Sequence, residues 1–195
     1  MLKKKIILFG AGGHALSVID VIEKTNKFKI LFLIDNFDGF VENYQVYKEK
    51  KNLEYYKKYT KNVFISIGHI KNPAPRIKLF KELKEKKFIF PKIISPNAYV
   101  SKRAEIGDGT IVMHHALVNS NVKIGSNCII NSKALIEHGT EIESNCHVST
   151  SSIINGDCKI KKNSFIGSNS VVIQKTKIKQ NSIIGAGKII KYSKL

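Results

Sequence analysis

No stretch of the 195 residues is apolar for long enough to cross a bilayer as a helix, which takes about 20 consecutive, predominantly apolar residues. Nor does the start resemble a secretory leader, since Lys3-Lys4-Lys5 runs through a short apolar segment into Gly10-Ala11-Gly12-Gly13-His14 with no small-residue cleavage site. A cytoplasmic protein without membrane insertion is expected. Cysteine is scarce, and the three present, Cys128, Cys146 and Cys158, are better explained as packing residues of a repeat than as disulfides, redox groups or metal ligands. No metal is expected. Acidic residues are also few, 15 against 33 Lys and Arg, for a formal net charge of +18. That excess is spread over both halves of the chain, and no helix-turn-helix, finger spacing or aromatic-basic module accompanies it. Nucleic acid is therefore not an expected partner, whereas phosphate-bearing small molecules would be drawn to such a surface.

What the chain has in abundance is a repeat. From Ile94 to Ile190 a β-branched aliphatic residue returns at every sixth position, through Val100, Ile106, Val112, Val118 and so on, without one failure. Four places later the residue is usually small, as at Ala98, Ala104, Thr110, Ala116, Cys128, Cys146 and Cys158. A helix needs period 3.6 and an ordinary strand period 2, so period 6 predicts short strands and turns wound into a parallel β-solenoid. In a triangular coil of three hexapeptides each side aims one aliphatic anchor at the axis and has room for one small residue beside it. Each anchor so buried contributes roughly 1.5–3 kcal/mol before chain entropy is subtracted.

Residues 1–90 read differently. Lys4–Phe9 predicts a buried strand, followed by a glycine-rich turn and a helix to about Asn26 with Leu16, Ile19 and Ile22 inward. Lys29–Ile34 predicts a second strand ending at Asp35, residues 37–61 a loop with a short Tyr- and Lys-rich helical piece, and Asn62–Ile67 a third strand ending at Gly68. Pro73 and Pro75 mark the start of a helix with Ile77, Phe80 and Leu83 on its apolar face. Phe88–Ile94 predicts a fourth strand running into the first coil. Alternating strands and helices make this a small Rossmann-like α/β domain with a parallel sheet.

Gly10, Gly12 and Ala15 satisfy G-x-G-x-x-A, a turn whose backbone N–H groups can approach a pyrophosphate at a helix N-terminus. Asp35 stands where a ribose-binding acid would sit. The domain is only about half a doubly wound fold, which favours a nucleotide diphosphate sugar over a dinucleotide. In the solenoid, His138 lies two places after anchor Ile136, outside the core, with Ser120 and Gly156 one coil away on either side. A substrate groove requires such open space. His69, His114 and His115 lack this support and read as surface residues.

The order Gly10-Ala11-Gly12-Gly13-His14, Asp35, Ser66-Ile67-Gly68, Ile136-Glu137-His138 and His147-Val148-Ser149 resembles the bacterial sugar O- and N-acyltransferases that include sialic acid O-acetyltransferases and UDP-amino-sugar N-acetyltransferases of the bacillosamine type. The resemblance implies a left-handed β-helix over residues 91–195 that holds acetyl-CoA, an N-terminal domain over residues 1–90 that holds a nucleotide sugar, and a homotrimer. It implies sugar-nucleotide contacts at Gly10, Gly12, Gly13, His14, Asp35 and Gly68, a general base at His138, and acetyl-CoA contacts at His147, Gly156, Gly185 and Gly187. The expected reaction is N-acetylation of a nucleotide-linked amino sugar. O-acetylation of a sialic-acid-like sugar and a non-catalytic scaffold are the alternatives. Two departures stand out: Gly139 follows the histidine where the family has Asp or Glu, and the C-terminal Gly-x-Pro-Ala-Lys tail is missing.

Overall fold

The computed structural model describes residues 2–50 and 52–191. They form two compact units, one gathering the chain up to Gly68 together with Ala74–Pro91, the other His69–Pro73 together with Lys92 onward. The last four residues of the expected solenoid domain, 192–195, lie outside the described residues.

The first unit is a five-stranded sheet built from β1 (Lys4–Phe9), β2 (Phe28–Asp35), β3 (Gly39–Val41), β4 (Tyr44–Lys48) and β5 (Val63–Ile65), in the order β3-β4-β2-β1-β5. All pairings are parallel except β3 with β4. Ile6 to Phe9 are fully buried, which is why β1 reads as an unbroken apolar run rather than an alternating one. Helix α1 (Gly13–Thr25) buries Ala15, Val18, Ile19, Val21 and Ile22. Leu16, expected inward, is 45% exposed. The core stripe runs from Ala15 at helical spacing, and one residue further on points about 100° away from it.

Three other expectations are corrected. The expected loop 37–61 contains the β3–β4 hairpin, turning at Glu42 with φ of 48°, while the Tyr- and Lys-rich helical piece expected within it is present as a 3₁₀ helix at Leu53–Lys58, whose Asn52 side chain accepts the Glu54 N–H. Those strands are too short, and β3 too exposed, to show a hydrophobic alternation. The strand expected at Phe88–Ile94 is interrupted, because Pro91 offers no N–H to a ladder. Phe88 and Phe90 instead join the core of Ile7, Phe9, Leu53 and Tyr56, Ile89 makes an isolated bridge to Asn62, and Ile93–Ile94 opens the solenoid. Finally, His69 is buried rather than exposed. Helix α2 (Ala74–Glu85) starts at the two prolines as expected and buries Arg76 and Leu83.

The second unit is a left-handed parallel β-helix. Among the described residues it has seventeen two-residue strands, β6 (Ile93–Ile94) to β22 (Ile189–Ile190), stacked into parallel sheets of six, five and six strands. Every sixth-position anchor is the second residue of one of these strands and points into a single core. The small residues are there for more than space. Thr110, Thr140, Ser152, Ser164 and Ser170 donate their hydroxyls, and Cys128, Cys146 and Cys158 their thiols, to the carbonyl fifteen residues ahead on the next coil. A small side chain with one donor satisfies a buried carbonyl that an alanine would leave bare.

Each turn also imposes a backbone constraint. From Gly109 to Gly187 the residue three places after the anchor has positive φ at every step. Asn121, Asn127, Asn145, Asn163, Asn169 and Asn181 fill many of these places, because asparagine tolerates the left-handed region. Four of them form a ladder, each amide donating to the next from Asn127 through Asn145 and Asn163 to Asn181 at 2.9, 3.1 and 3.0 Å.

Candidate active site

The glycine turn of the first unit is held from behind. Gly10 has φ of +110°, and a Cβ on it would stand 2.6 Å from the Ile67 side chain and 2.9 Å from its backbone nitrogen, so only glycine fits. The Ser66 hydroxyl donates to the carbonyl of Gly10 at 2.5 Å and of Phe9 at 3.1 Å. Buried Arg76 reaches the carbonyls of Ile65 and Ile67 at 2.5 and 2.8 Å. In front the turn is open, since a Cβ on Gly12 or Gly13 would meet nothing within 4 Å. Gly12 is the N-cap of α1, with no side-chain cap and no acid in the first turn, so the positive end of that helix faces whatever enters.

Asp35 accepts the Ala11 N–H on Oδ2 at 2.6 Å and the Asn36 N–H on Oδ1 at 2.7 Å. The acid expected for a ribose therefore also shapes the glycine turn. Gly68 belongs to the same cluster, because a Cβ on it would lie 3.1 Å from that of His14. The six residues singled out in this half of the sequence are thus grouped at the carboxyl ends of β1, β2 and β5.

His138 stands exposed at a corner of the solenoid, just after the strand Leu135–Ile136. Its ring lies over Gly156, where a Cβ would come within 2.7 Å of Cε1 and 2.8 Å of Nε2. The two are joined by register, with the Asp157 N–H donating to the His138 carbonyl at 2.9 Å and the Gly139 N–H to that of Ser120 at 3.1 Å. A cleft of about 380 Å³ opens here, lined by Glu137, His138, Asn155, Gly156, Asp157, Gln174 and Lys175. The sequence reading overlooked its acids, its lysine and its amides, although all lie at or beside the eighteen-residue steps from His138.

His147 lies elsewhere. It is buried on the strand His147–Val148, in the sheet of β6 and β21 (Ile183–Ile184) rather than that of Leu135–Ile136. Its Nδ1–H donates to the His69 carbonyl at 2.6 Å, which leaves Nε2 to accept from the Asn131 amide at 3.3 Å. The His69 and Phe165 rings flank it at 5.5 and 5.2 Å. Gly185 continues the rung of Gly167 at the corner following that sheet, and exposed Gly187 has φ of +67°. One chain therefore unites His138 with Gly156 but not with His147, Gly185 or Gly187. The three thiols take no part: all are buried in the solenoid core, the neighbouring Cys128 together with burial holds that of Cys146 far above the usual range, and burial raises that of Cys158.

A second cavity of about 690 Å³ lies on the first unit, away from the glycine turn, among Phe32, Tyr47, Tyr55, Tyr59, Lys50 and Lys58. Lys58, Tyr59 and Lys50 around the Tyr55 phenol bring its pKa down to about 7. Among the described residues no group of three or more His, Cys, Asp or Glu side chains is placed to hold a metal, and no helix is long and apolar enough to cross a membrane.

Against known proteins, residues 5–83 match the PglD N-terminal domain and residues 91–195 the GMPPB C-terminal domain. No curated protein matches the chain. Among solved structures, a mutant of perosamine N-acetyltransferase from Caulobacter crescentus, in complex with CoA and GDP-perosamine, is 24% identical, with 96% of this chain and 89% of that one aligned at a TM-score of 0.90. The acetyltransferase domain of PglB from Neisseria gonorrhoeae FA1090, in complex with acetyl coenzyme A, is 23% identical over 98% and 92% of the two chains, with a TM-score of 0.89. WeeI from Acinetobacter baumannii AYE is 21% identical over 96% of each chain, at 0.51. At these identities the likeness establishes the fold.

Proposed function

The chain belongs to the family of the GMPPB C-terminal domain, and on that footing we propose that it is an acetyltransferase moving acetyl from acetyl-CoA to the amino group of a nucleotide-linked amino sugar. The observation that carries the reading is the His138 imidazole lying over side-chain-free Gly156 in an open cleft. The glycine turn supports it from the other half of the chain, and so do the acetyl-CoA, CoA and GDP-perosamine bound by the structural relatives. In this reading residues 1–90 hold the sugar nucleotide and residues 91–195 the acetyl donor. The diphosphate lies against the N–H groups of Gly12, Gly13 and His14 at the start of α1, close to Gly10 and Gly68, and the ribose takes the remaining lone pairs of Asp35.

His138 removes the proton from the attacking amine, a contribution of about 10²–10⁴ in rate. Negative charge builds on the acyl oxygen and needs a fixed donor. The N–H groups of Asn155 and Asp157 are committed to the carbonyls of Val172 and His138, so that of Gly156 takes this role. His147, Gly185 and Gly187 line the donor's path. Such a co-substrate suits a cytoplasmic enzyme of glycan biosynthesis.

The decisive experiment incubates the protein with acetyl-CoA and a panel of nucleotide-linked sugars and looks by mass spectrometry for a product 42 Da heavier, the mass of an acetyl group less the proton it replaces. We expect acetylation of amino sugars. Products only on hydroxyl sugars would make it an O-acetyltransferase, and none at all a scaffold. A finer test is Gly12→Ala. The added methyl has room in the free protein, so it raises the KM for the sugar nucleotide and leaves that for acetyl-CoA nearly unchanged. The reverse pattern would exchange the roles of the two domains.

The assembly we propose is a homotrimer. His138 and His147 sit on different sides of the prism, so a shared site needs a neighbouring solenoid. One face offers the contact: Tyr99, Leu117, Leu135, Ile153, Val171 and Ile189 stack as an outward apolar ladder, half-buried in the middle and exposed at both ends. An apolar stripe of this length marks an interaction surface. Light scattering should give three times the 21.9 kDa chain mass, and Ile153→Glu should give monomers without activity. An active monomer of the unaltered protein would refute the trimer.

A further inference from the structure

We infer that Asp157 is the positioning carboxylate of His138, supplied from the next coil because Gly139 carries no side chain; this rests on the reading of His138 as the general base. A histidine base needs a partner that fixes its tautomer and stabilises the imidazolium formed during the reaction. Two carboxylates line the cleft with His138, those of Glu137 and Asp157, and Lys175 is the cation that faces them. Glu137 is engaged, accepting the Asn119 amide at 2.8 Å on the coil below.

Asp157 is placed differently. Its N–H donates to the His138 carbonyl at 2.9 Å, its neighbour Gly156 lies directly against the imidazole, and its Oδ1 occupies the space that a Cβ on Gly139 would fill. A carboxylate oxygen thus stands in the space that any side chain on residue 139 would have to enter, carried by a residue of the next coil. The exchange is self-consistent, because a side chain at 139 and the present Asp157 conformation exclude each other. A simple Gly139→Asp substitution would not add a partner to His138; it would displace the one already there.

The backbone makes a clean test available. Asp157 has φ of 58° at a corner position that other coils fill with Asn, so Asp157→Asn removes the charge with the fold kept. We expect this variant to melt with the parent and to lose at least about 10-fold in kcat with both KM values unchanged, as befits a group acting through the base. The loss should exceed that of Glu137→Gln. The double variant Asp157→Gly, Gly139→Asp moves the carboxylate to the lower coil and restores most of the rate, which a structural role for Asp157 would not allow. ¹⁵N spectra of the His138 ring should show one tautomer in the parent and a mixture in Asp157→Asn. Full activity with an unchanged ring spectrum in Asp157→Asn would overturn the inference. Should His138→Ala itself stay active, the base assignment fails, while the ring spectrum still reports whether Asp157 orients the imidazole.

Discussion

Replacing His138 by alanine lowers kcat by about 10²-fold or more and leaves both KM values nearly unchanged. The side chain is exposed, so no core contact is lost and the melting temperature stays put. The imidazole makes its decisive interaction when the amine loses its proton, and a group acting only then changes kcat and kcat/KM together. Steady-state kinetics on a verified substrate, with a melting curve of the same preparation, reads all of this. A variant that kept its rate would remove His138 from the chemistry. One that lost rate and stability together would make it a structural residue.

Gly156→Ala is expected to be nearly as damaging for a steric reason. Its backbone is not in the left-handed region, so alanine itself fits the chain there. The new methyl, however, would stand 2.7–2.8 Å from Cε1 and Nε2 of His138, and the exposed ring must swing aside. A displacement of about 1 Å at a reacting group can cost about 10²-fold. We expect a loss of that order in kcat, an unchanged melting temperature, and a crystal structure of the variant with the imidazole rotated away from residue 156. Unimpaired kcat would show that the base does not depend on its seat over Gly156.

The solenoid was legible in the sequence because its constraint is local and repeated. Each anchor must be β-branched and each small residue must fit beside it, and period 6 survives any change at the surface. The sequence carries a further period, the asparagine-rich position three places after the anchor, whose cause is a positive φ at each corner. The glycine turn was legible for a similar reason, since Gly10 is the residue its backbone demands. The first unit was less so. Leu16, the β3–β4 hairpin and the break at Pro91 depend on which face a neighbour covers, which short segments do not encode.

The sequence by itself determined the winding of the chain, the anchors of its core, the glycine turn and the exposed place of His138, because each follows from the period of the side chains and the backbone they can adopt. Only the tertiary structure decided what surrounds them. Residues eighteen apart become neighbours when the coils stack, so Gly156 comes to lie against the imidazole, an Asp157 carboxylate oxygen fills the space beside Gly139, and Asp35 closes on Ala11 from another strand. His69, which reads as surface, is buried with its ring against that of His147 and its carbonyl accepting from the same imidazole. Contacts of that kind are set by register between distant segments, and no local pattern in the chain records them.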